Sequence, residues 1–225
     1  MVMSMILIQI LFFIFPWKIR RILLNKLFRF KIAKSAYIGY SIIMARSLIM
    51  DEQTRIGHLV ICKRIDLFKM DKCSSVGNLM YITGFPTSNK SVFQAVKIRK
   101  CVLIMEECST LTSRHFIDCN GGVYIGAFTT VAGIKSQILT HSINVYKNRQ
   151  EAHPIHIGKY CFVGTGCILL PGTKLPDYSV LGAGAVLTKS FEETACLYAG
   201  SPAQKIKRLD INTTLYFQRN ERMVY

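Results

Sequence analysis

The chain has 225 residues, the size of one domain with a sizeable core, and half of its residues are hydrophobic. Lysine and arginine number 29 against 13 aspartate and glutamate, so the net charge is +16 and an anionic partner is expected. No zinc-finger, helix-turn-helix or RNA-binding pattern is present, which disfavours nucleic acid and favours acidic lipid or a phosphate-bearing ligand.

Residues 1–34 are predicted to form an apolar, then basic amphipathic, helical segment. The apolar run 5–15 is shorter than the ~20 residues that span a membrane, and no cleavage signal follows it. From Trp17 to Lys31, basic residues lie opposite an apolar stripe at helical spacing. The stripe consists of Ile19, Ile22, Leu23, Leu27 and Phe30. This pattern is typical of a helix lying on an anionic membrane; the alternative is a helix that caps the next domain.

Residues 35–191 carry a six-residue repeat, which predicts an all-β domain. The repeat is loose from Ile38 onward and regular from Ile157 to Lys189. The aliphatic positions are Ile157, Val163, Leu169, Leu175, Leu181 and Leu187, and small residues follow four positions later at Cys161, Cys167, Thr173, Ser179 and Ala185. A period of six fits neither a helix nor a simple strand, but it fits a parallel β-helix with the aliphatic residue inside. An antiparallel sandwich would instead show alternation and polar hairpin turns.

Roughly seven coils fit the length of this domain. Residues 142–154 interrupt the register and are predicted to form an inserted loop, whereas 83–91 reads as a turn or short loop. Residues 192–225 form a short C-terminal tail. None of the eight cysteines forms a C-x-x-C pair, so a zinc site is not expected, and an interior lined with reduced thiols suits the cytoplasm.

The regular part of the chain resembles the hexapeptide-repeat acyltransferases, above all the O-acetyltransferases of bacterial exopolysaccharide and O-antigen synthesis. The motifs that carry the resemblance are Ile157-Gly158, Phe162, Pro171-Gly172, Gly182-Ala183-Gly184, Thr188-Lys189 and Gly200-Ser201-Pro202-Ala203. The resemblance implies a left-handed β-helix with three six-residue faces per coil. It also implies a homotrimer whose active sites are shared between subunits.

The resemblance places the general base at His141, which directly precedes the inserted loop. An imidazole with a pKa near 6.5 can take the proton of a sugar hydroxyl at neutral pH, and such catalysis contributes about 10²–10⁴ in rate. His115 is a second candidate, either as an acceptor-binding residue or as an assistant to the base in a shared cleft. Asp118 is expected to orient an imidazole or to contact the acceptor. A packed polar pair at a coil corner is the alternative for His115 and Asp118.

The resemblance also implies acetyl-CoA as the acyl donor. Its expected contacts are Gly164, Thr165, Ala183, Gly184, Thr188 and Lys189, with Lys205, Lys207 and Arg208 meeting the phosphates. Phe162 stands where the family has a tryptophan and is expected to shape the acceptor cleft, and Arg149 on the inserted loop is expected to complete a neighbour's site. No two histidines show the His-x-x-x-x-His spacing of the zinc enzymes with this fold, so no metal is expected.

The sequence therefore predicts a cytoplasmic acetyl-CoA-dependent O-acetyltransferase that acts on a saccharide of a surface polysaccharide. We expect it at the inner face of the membrane, associated peripherally with anionic lipid and without nucleic acid. Two alternatives stay open: N-acetylation of an amino sugar or antibiotic, and a β-helix scaffold without catalysis.

Overall fold

The computed structural model describes residues 2–222. Two helices, α1 (Val2–Leu11) and α2 (Trp17–Phe28), with a 3-10 turn at Phe12–Ile14 between them, precede twenty-five short strands. The first twelve strands are β1 (Lys31–Ile32), β2 (Tyr37–Ile38), β3 (Ile42–Met44), β4 (Ser47–Met50), β5 (Arg55–Ile56), β6 (Ile61–Lys63), β7 (Leu67–Met70), β8 (Ser75–Val76), β9 (Tyr81–Thr83), β10 (Val102–Met105), β11 (Thr110–Leu111) and β12 (Phe116–Asp118). The remainder are β13 (Val123–Ile125), β14 (Thr130–Val131), β15 (Gln137–Leu139), β16 (His141–Asn144), β17 (Arg149–Ala152), β18 (Ile155–Ile157), β19 (Phe162–Val163), β20 (Ile168–Leu169), β21 (Lys174–Leu175), β22 (Val180–Leu181), β23 (Val186–Leu187), β24 (Cys196–Ala199) and β25 (Gln204–Arg208).

The strands form three parallel sheets that wrap around one core. Sheet A consists of β1, β4, β7, β10, β13, β18 and β21; sheet B begins β2, β5, β8, β11, β14, β19 and β22; sheet C consists of β3, β6, β9, β12, β15, β20 and β23. Each coil contributes one strand to each sheet, so the chain makes seven coils. The predicted left-handed parallel β-helix of roughly seven coils is confirmed.

The core is a set of stacked aliphatic columns, one residue per strand. All six predicted aliphatic positions from Ile157 to Leu187 are buried, and the small residues four positions later are buried beside them. In sheet B, the pairing register places the inward residues directly above one another along the helix axis. Burial of these columns supplies the main stabilising free energy, at roughly 25 cal/mol per Å² of apolar surface.

The two helices close the end of the first coil. Gln9 exchanges hydrogen bonds with the backbone of Ile43, and Arg20 donates to the carbonyl of Gly39 at 2.8 Å. Leu24 and Arg20 face the β-helix, which leaves Ile22 and much of the predicted apolar stripe exposed. Among residues 2–222, no helix combines the length and the apolar character that crossing a bilayer demands.

Two long insertions leave the β-helix at the corner between sheets C and A. The predicted inserted loop is a β-hairpin, in which β16 pairs with β17 in antiparallel register. The first insertion, residues 84–101, is longer than the short turn expected there, since its several polar and turn-forming residues are followed by a stretch without the hexad pattern. The predicted C-terminal tail packs on the β-helix. Within it, β24 extends sheet B in parallel, and β25 pairs with β24 in antiparallel orientation.

Candidate active site

The candidate base, His141, lies at the corner between sheets C and A beside a buried carboxylate. Asp118 ends β12 and is paired with Leu139 at the end of β15, so the chain reaches His141 two residues beyond this pair. Nδ1 of His141 lies 2.6 Å from Oδ2 of Asp118. The Asp118 side chain is fully buried, whereas 40% of the His141 side chain is exposed. One ring nitrogen is thus held by the protein, and Nε2 is left for a reacting proton.

Backbone and side-chain donors surround the Asp118 carboxylate. Oδ2 accepts the backbone N–H of Thr140 at 2.9 Å and that of His141 at 3.0 Å. Oδ1 accepts the backbone N–H of Asn120 at 3.1 Å and its side-chain amide at 2.5 Å. Hydrogen bonds from several donors compensate the cost of burying a charged group. Asp118 is therefore held as an anion in one orientation.

The pair shifts both pKa values in opposite directions. The hydrogen bond that Nδ1–H donates to Asp118 raises the pKa of His141; burial opposes this change, and the charge of Asp118 adds to it. Burial by itself raises the pKa of Asp118, but the hydrogen bonds from His141, Asn120 and Thr140 outweigh burial, and the net pKa is lowered. The lowered pKa favours the ionised form of Asp118, and the raised pKa makes the imidazole of His141 a stronger base, an arrangement suited to general base catalysis.

Asn120 and Phe93 join this site, and sequence reasoning missed both. Oδ1 of Asn120 accepts the backbone N–H of Phe85, at the start of the 84–101 insertion, at 2.8 Å. The ring of Phe93, from the middle of the same insertion, packs edge-to-face on His141 with centroids 5.7 Å apart. Asn120 precedes two glycines, a turn signal that marks its place but not its role. No local pattern marks Phe93.

The structure separates His115 from His141. His115 precedes β12 whereas His141 follows β15. Because these strands are parallel neighbours, the two rings lie at opposite edges of sheet C, one where its strands begin and the other where they end. Nδ1 of His115 accepts the backbone N–H of Ser136 at 3.1 Å, which leaves Nε2–H to donate to Thr112 Oγ1 at 2.9 Å. Burial lowers the pKa of His115 to about 4. The expectation that His115 shares a cleft with the base is therefore wrong, because its ring is buried and both nitrogens are engaged.

Asp118 does not contact the acceptor either, since its side chain is fully buried beneath His141. Of its two expected roles, the geometry fits the orientation of an imidazole. Arg149 lies on β17 and is exposed, with Nε and a terminal nitrogen bound to Glu151 at 3.0 and 2.9 Å. Phe162 lies on sheet B, where its ring packs edge-to-face on Tyr216 with centroids 5.8 Å apart. It is not part of the corner that holds His141.

Four of the expected acyl-donor contacts come together at the corner between sheets B and C. Gly164 and Thr165 of the sixth coil stack on Ala183 and Gly184 of the seventh, with Gly184 N–H donating to the Thr165 carbonyl at 2.9 Å. A Cβ on Gly164 would lie 2.6 Å from the backbone nitrogen of Ala183, so this close approach requires glycine. At Gly184, which has a φ of +69°, a Cβ would point into open space.

The other expected donor contacts lie elsewhere. Thr188 and Lys189 follow β23 at the corner between sheets C and A, which is also the corner of His141. Two coils separate them from His141, and since each coil rises ~4.8 Å, the distance along the axis is about 10 Å. Lys205, Lys207 and Arg208 lie on β25, which is exposed throughout. Lys205 is paired with Glu193 at 2.6 Å. Among the described residues 2–222, no cluster of three or more histidine, cysteine or acidic side chains is arranged to hold a metal ion.

The fold defines the chain as a left-handed β-helix protein built from hexapeptide repeats. No protein-family model matches it. A protein of Staphylococcus aureus (strain Mu50), provisionally named as an acetyltransferase, is 35% identical over 74 residues, which are 32% of this chain and 37% of that protein. A Schizosaccharomyces pombe protein named in the same way is 42% identical over 57 residues, 25% of this chain and 27% of that protein. The chain thus matches about a third of the length of these curated relatives.

Among solved structures, the polysialic acid O-acetyltransferase OatWY superposes with a TM-score of 0.58 over 80% of this chain and 84% of that chain. The two sequences are 18% identical, so this likeness shows the fold. The resemblance to the hexapeptide-repeat acetyltransferases that the sequence predicts is confirmed.

Proposed function

We propose that this protein is an acetyl-CoA-dependent O-acetyltransferase that transfers an acetyl group to a hydroxyl of a saccharide in surface polysaccharide biosynthesis. The observation that carries the proposal is the pair formed by His141 and the buried Asp118, 2.6 Å apart, on a β-helix built from hexapeptide repeats. Both insertions leave the β-helix at the corner where this pair lies, so they can form the walls of a cleft around it.

In the proposed reaction, Nε2 of His141 removes the proton of the acceptor hydroxyl as its oxygen attacks the thioester carbonyl of acetyl-CoA. The tetrahedral intermediate then collapses, the C–S bond breaks, and the imidazolium returns the proton to the leaving thiolate. The products are the acetyl ester and free coenzyme A. Asp118 fixes Nδ1–H as the donor side of the ring and stabilises the imidazolium, as in other aspartate–histidine pairs.

The small residues at the corner between sheets B and C support the binding of the acyl donor. The open space beside Gly184 and the backbone groups around Gly164 and Thr165 would allow a pantetheine arm to approach the main chain. Lys207 and Arg208 on β25, together with Lys189, are available for the phosphates of the coenzyme, and Lys205 could join them by exchanging its partner Glu193 for a phosphate.

The positions of these residues favour a site shared between subunits of a homotrimer. His141 lies at one edge of sheet C, and the four donor residues from Gly164 to Gly184 lie at the other edge. In a trimer, the donor corner of one subunit can face the His141 corner of its neighbour, and the hairpin with Arg149 can cover both.

The N-terminal helices support a location at the inner face of the cytoplasmic membrane. Their exposed apolar residues are Leu7, Ile8, Ile10, Leu11, Ile14, Phe15, Ile19, Ile22 and Leu27. Lys18, Lys26 and Arg29 are also exposed, and residues 1–50 contain eight basic residues and no acidic one. We call these twelve exposed residues the cap surface. Exposed apolar and basic side chains on the same short segment are suited to an anionic bilayer, close to membrane-linked glycans.

The proposed acceptor is a hydroxyl group of a saccharide. OatWY is named as an enzyme that O-acetylates polysialic acid, which supports a saccharide hydroxyl. An amine acceptor would use the same base and donor. A panel of neutral, acidic and amino sugars, with products analysed by mass and for alkali-labile esters, separates O- from N-acetylation.

The test is acetyl transfer from isotopically labelled acetyl-CoA by the purified protein, compared with His141→Gln and with His58→Gln. His58 is an exposed histidine of the second coil and serves as the matched control. We expect transfer by the wild type and by His58→Gln, and a loss of about 10²–10⁴ in rate for His141→Gln. Equal transfer by wild type and His141→Gln would exclude His141 as the base. A protein that neither binds acetyl-CoA nor transfers acetyl groups would support a scaffold.

A further inference from the structure

The 84–101 insertion, hereafter the 84–101 loop, covers one side of His141. It joins β9 to β10 at the corner between sheets C and A, and its start and end are held by the β-helix. Thr87 donates its backbone N–H and its hydroxyl to Oδ2 of Asp66, both at 2.8 Å. The loop is therefore fixed at its base, and the part that approaches His141 is not a free end.

Phe93 is the residue of the loop that contacts the base. Its ring lies 5.7 Å from the imidazole, centroid to centroid, with an angle of 88° between the planes. Only 5% of Phe93 is exposed, although nearly all other residues of the loop are exposed or half-buried. An edge-to-face contact of this kind is favourable beyond the burial of apolar surface.

Arg99 holds Phe93 in place. Its guanidinium donates to the carbonyls of Phe85 at 2.6 Å, Pro86 at 3.1 Å and Asn120 at 3.2 Å. The same guanidinium lies 4.7 Å above the centre of the Phe93 ring. The planar cation thus joins the two ends of the loop to the β-helix and packs against the aromatic ring.

Asn120 links the loop to the carboxylate. Its amide oxygen accepts the Phe85 N–H from the loop, and this bond orients the amide nitrogen towards Asp118. The loop and Asp118 therefore share one hydrogen-bonded residue. Two supports meet at the imidazole: a hydrogen bond at Nδ1 and an aromatic contact against the ring.

We propose that Phe93 is a positioning residue for His141, and that Arg99 holds the loop that carries Phe93. The hydrogen bond to Asp118 fixes one atom of the imidazole but allows the ring to rock about that bond. The perpendicular Phe93 ring limits this rocking and keeps Nε2 directed at the acceptor. This inference rests on the proposed role of His141 as the base, although its structural part can be tested without any reaction.

The competing explanation is that Phe93 only shields His141 from water. The two explanations predict opposite changes in the pKa of His141 when Phe93 is removed. If Phe93 holds the ring on Asp118, its loss weakens the hydrogen bond that is the largest cause of the raised pKa, so the pKa falls. If Phe93 only buries the ring, its loss removes the opposing effect of burial, so the pKa rises further.

The experiment is an NMR titration of the histidine ring protons in the full-length protein, with His141 assigned from His141→Gln. The variants are Phe93→Ala, Phe93→Leu and Arg99→Met, with Phe128→Ala as the matched control. Phe128 is a half-buried phenylalanine with a φ of +57°, similar to the +56° of Phe93, but it stacks on Tyr160 at another corner. The charged groups near His141, namely Asp118, Arg99 and the Arg149–Glu151 pair, are unchanged in Phe93→Ala.

We expect the pKa of His141 to fall towards its ordinary value in Phe93→Ala, to recover in Phe93→Leu, and to stay unchanged in Phe128→Ala. Arg99→Met also removes a cation near His141, which by itself raises this pKa, so the loss of positioning in that variant is measured by kcat. In acetyl transfer, kcat should fall by about tenfold to a hundredfold in Phe93→Ala and in Arg99→Met, with little change in KM. A raised or unchanged pKa in Phe93→Ala would overturn the proposal. Absence of acetyl transfer by the wild type would instead contradict the proposed function, while the titration still decides the positioning role.

Discussion

Asp118 and His141 are 23 positions apart in the chain, yet Oδ2 of the first and Nδ1 of the second lie 2.6 Å apart. They meet because β12 and β15 are adjacent rungs of sheet C, with Asp118 opposite Leu139. One coil thus supplies the carboxylate and the next coil supplies the imidazole. The parallel stacking of coils brings together residues that no short motif joins.

Removal of the Asp118 charge should lower both activity and stability. In Asp118→Asn, we expect acetyl transfer to fall by about 10² or more, because a neutral amide does not stabilise the imidazolium and does not hold the ring as firmly as a carboxylate. The melting temperature should also fall, since in either orientation the amide nitrogen would face N–H donors that now bind the carboxylate. Steady-state kinetics and thermal unfolding measure the two effects.

The matched control is Asp177→Asn. Asp177 also accepts a backbone N–H from a neighbouring coil, that of Lys159 at 3.0 Å, but at the corner between sheets A and B. This variant should keep its transfer rate. If Asp118→Asn keeps the wild-type rate as well, Asp118 does not orient the base.

The pH dependence of transfer follows from the direction of the His141 shift. A general base must be neutral, and Asp118 raises the pKa of His141. Transfer should therefore increase with pH and level off only above an inflection that lies higher than about 6.5, the ordinary value. In Asp118→Asn, the residual activity should show this inflection at lower pH. An inflection below 6.5 in the wild type, seen in kcat/KM profiles, would contradict the arrangement.

Most of the fold can be predicted from the period of the sequence. The aliphatic residue at every sixth position from Ile157 to Leu187 has to face inward, because only a β-helix places such a period in one column. The 84–101 loop could not be predicted in the same way, since it interrupts the repeat without a pattern of its own. The contact of α2 with the first coil through Arg20 and Leu24 depends on packing and is not visible in its apolar stripe.

The site was only partly predictable. His141 stands out because a histidine directly precedes the break in the repeat, whereas the sequence left two roles open for Asp118, to orient an imidazole or to contact the acceptor. His115 was the second candidate, but the structure buries its ring and engages both nitrogens. Phe93 contacts His141 only because of the path that the 84–101 loop takes in the folded protein. Whether a side chain at a corner of the β-helix points into the core or outwards decides these roles. The six-residue repeat does not specify this direction at the corners.

A side chain can be introduced at the corner between sheets B and C, where acetyl-CoA is proposed to bind, without disturbing the core. Gly184 has a φ of +69°, and a Cβ there meets no atom within 4 Å. Asparagine tolerates this backbone region better than other residues with a side chain, so Gly184→Asn should fold. We expect its affinity for acetyl-CoA, measured by calorimetry, to fall at least tenfold, with Gly184→Ala intermediate (each 1.4 kcal/mol is tenfold).

The contrasting position is Gly164, where a Cβ would lie 2.6 Å from the nitrogen of Ala183. Gly164→Ala should lower the melting temperature, because the sixth and seventh coils must move apart. Unchanged acetyl-CoA binding by a folded Gly184→Asn would show that the donor lies elsewhere.

The cap surface should bind anionic vesicles. Each basic residue near an anionic bilayer contributes about 1 kcal/mol, so the triple variant Lys18→Glu, Lys26→Glu, Arg29→Glu should lower binding by about a hundredfold or more. Co-sedimentation with vesicles containing phosphatidylglycerol measures this, and binding should weaken as salt is raised. The control reverses three charges at the far end of the β-helix: Lys205→Glu, Lys207→Glu and Arg208→Glu. Equal loss in both variants would reflect net charge and not the cap surface.

His115 should make the protein sensitive to acid. Burial lowers its pKa in the folded state to about 4, whereas an unfolded chain has a value near 6.5, so the unfolded state takes up the proton first as pH falls. The stability associated with the neutral ring is complete above about pH 6.5 and is lost progressively towards pH 4. Between pH 7 and pH 5 this amounts to about 2 kcal/mol of unfolding free energy.

His115→Asn isolates the effect, because the amide oxygen of asparagine can accept the Ser136 N–H that Nδ1 now accepts. The variant should be less stable than the wild type at pH 7, owing to the lost ring, but its stability should fall less between pH 7 and pH 5. Urea unfolding at the two pH values gives both slopes. Parallel losses in the two proteins would mean that the His115 ring is not held neutral by burial, and that the acid sensitivity arises from other groups, such as the Asp118–His141 pair.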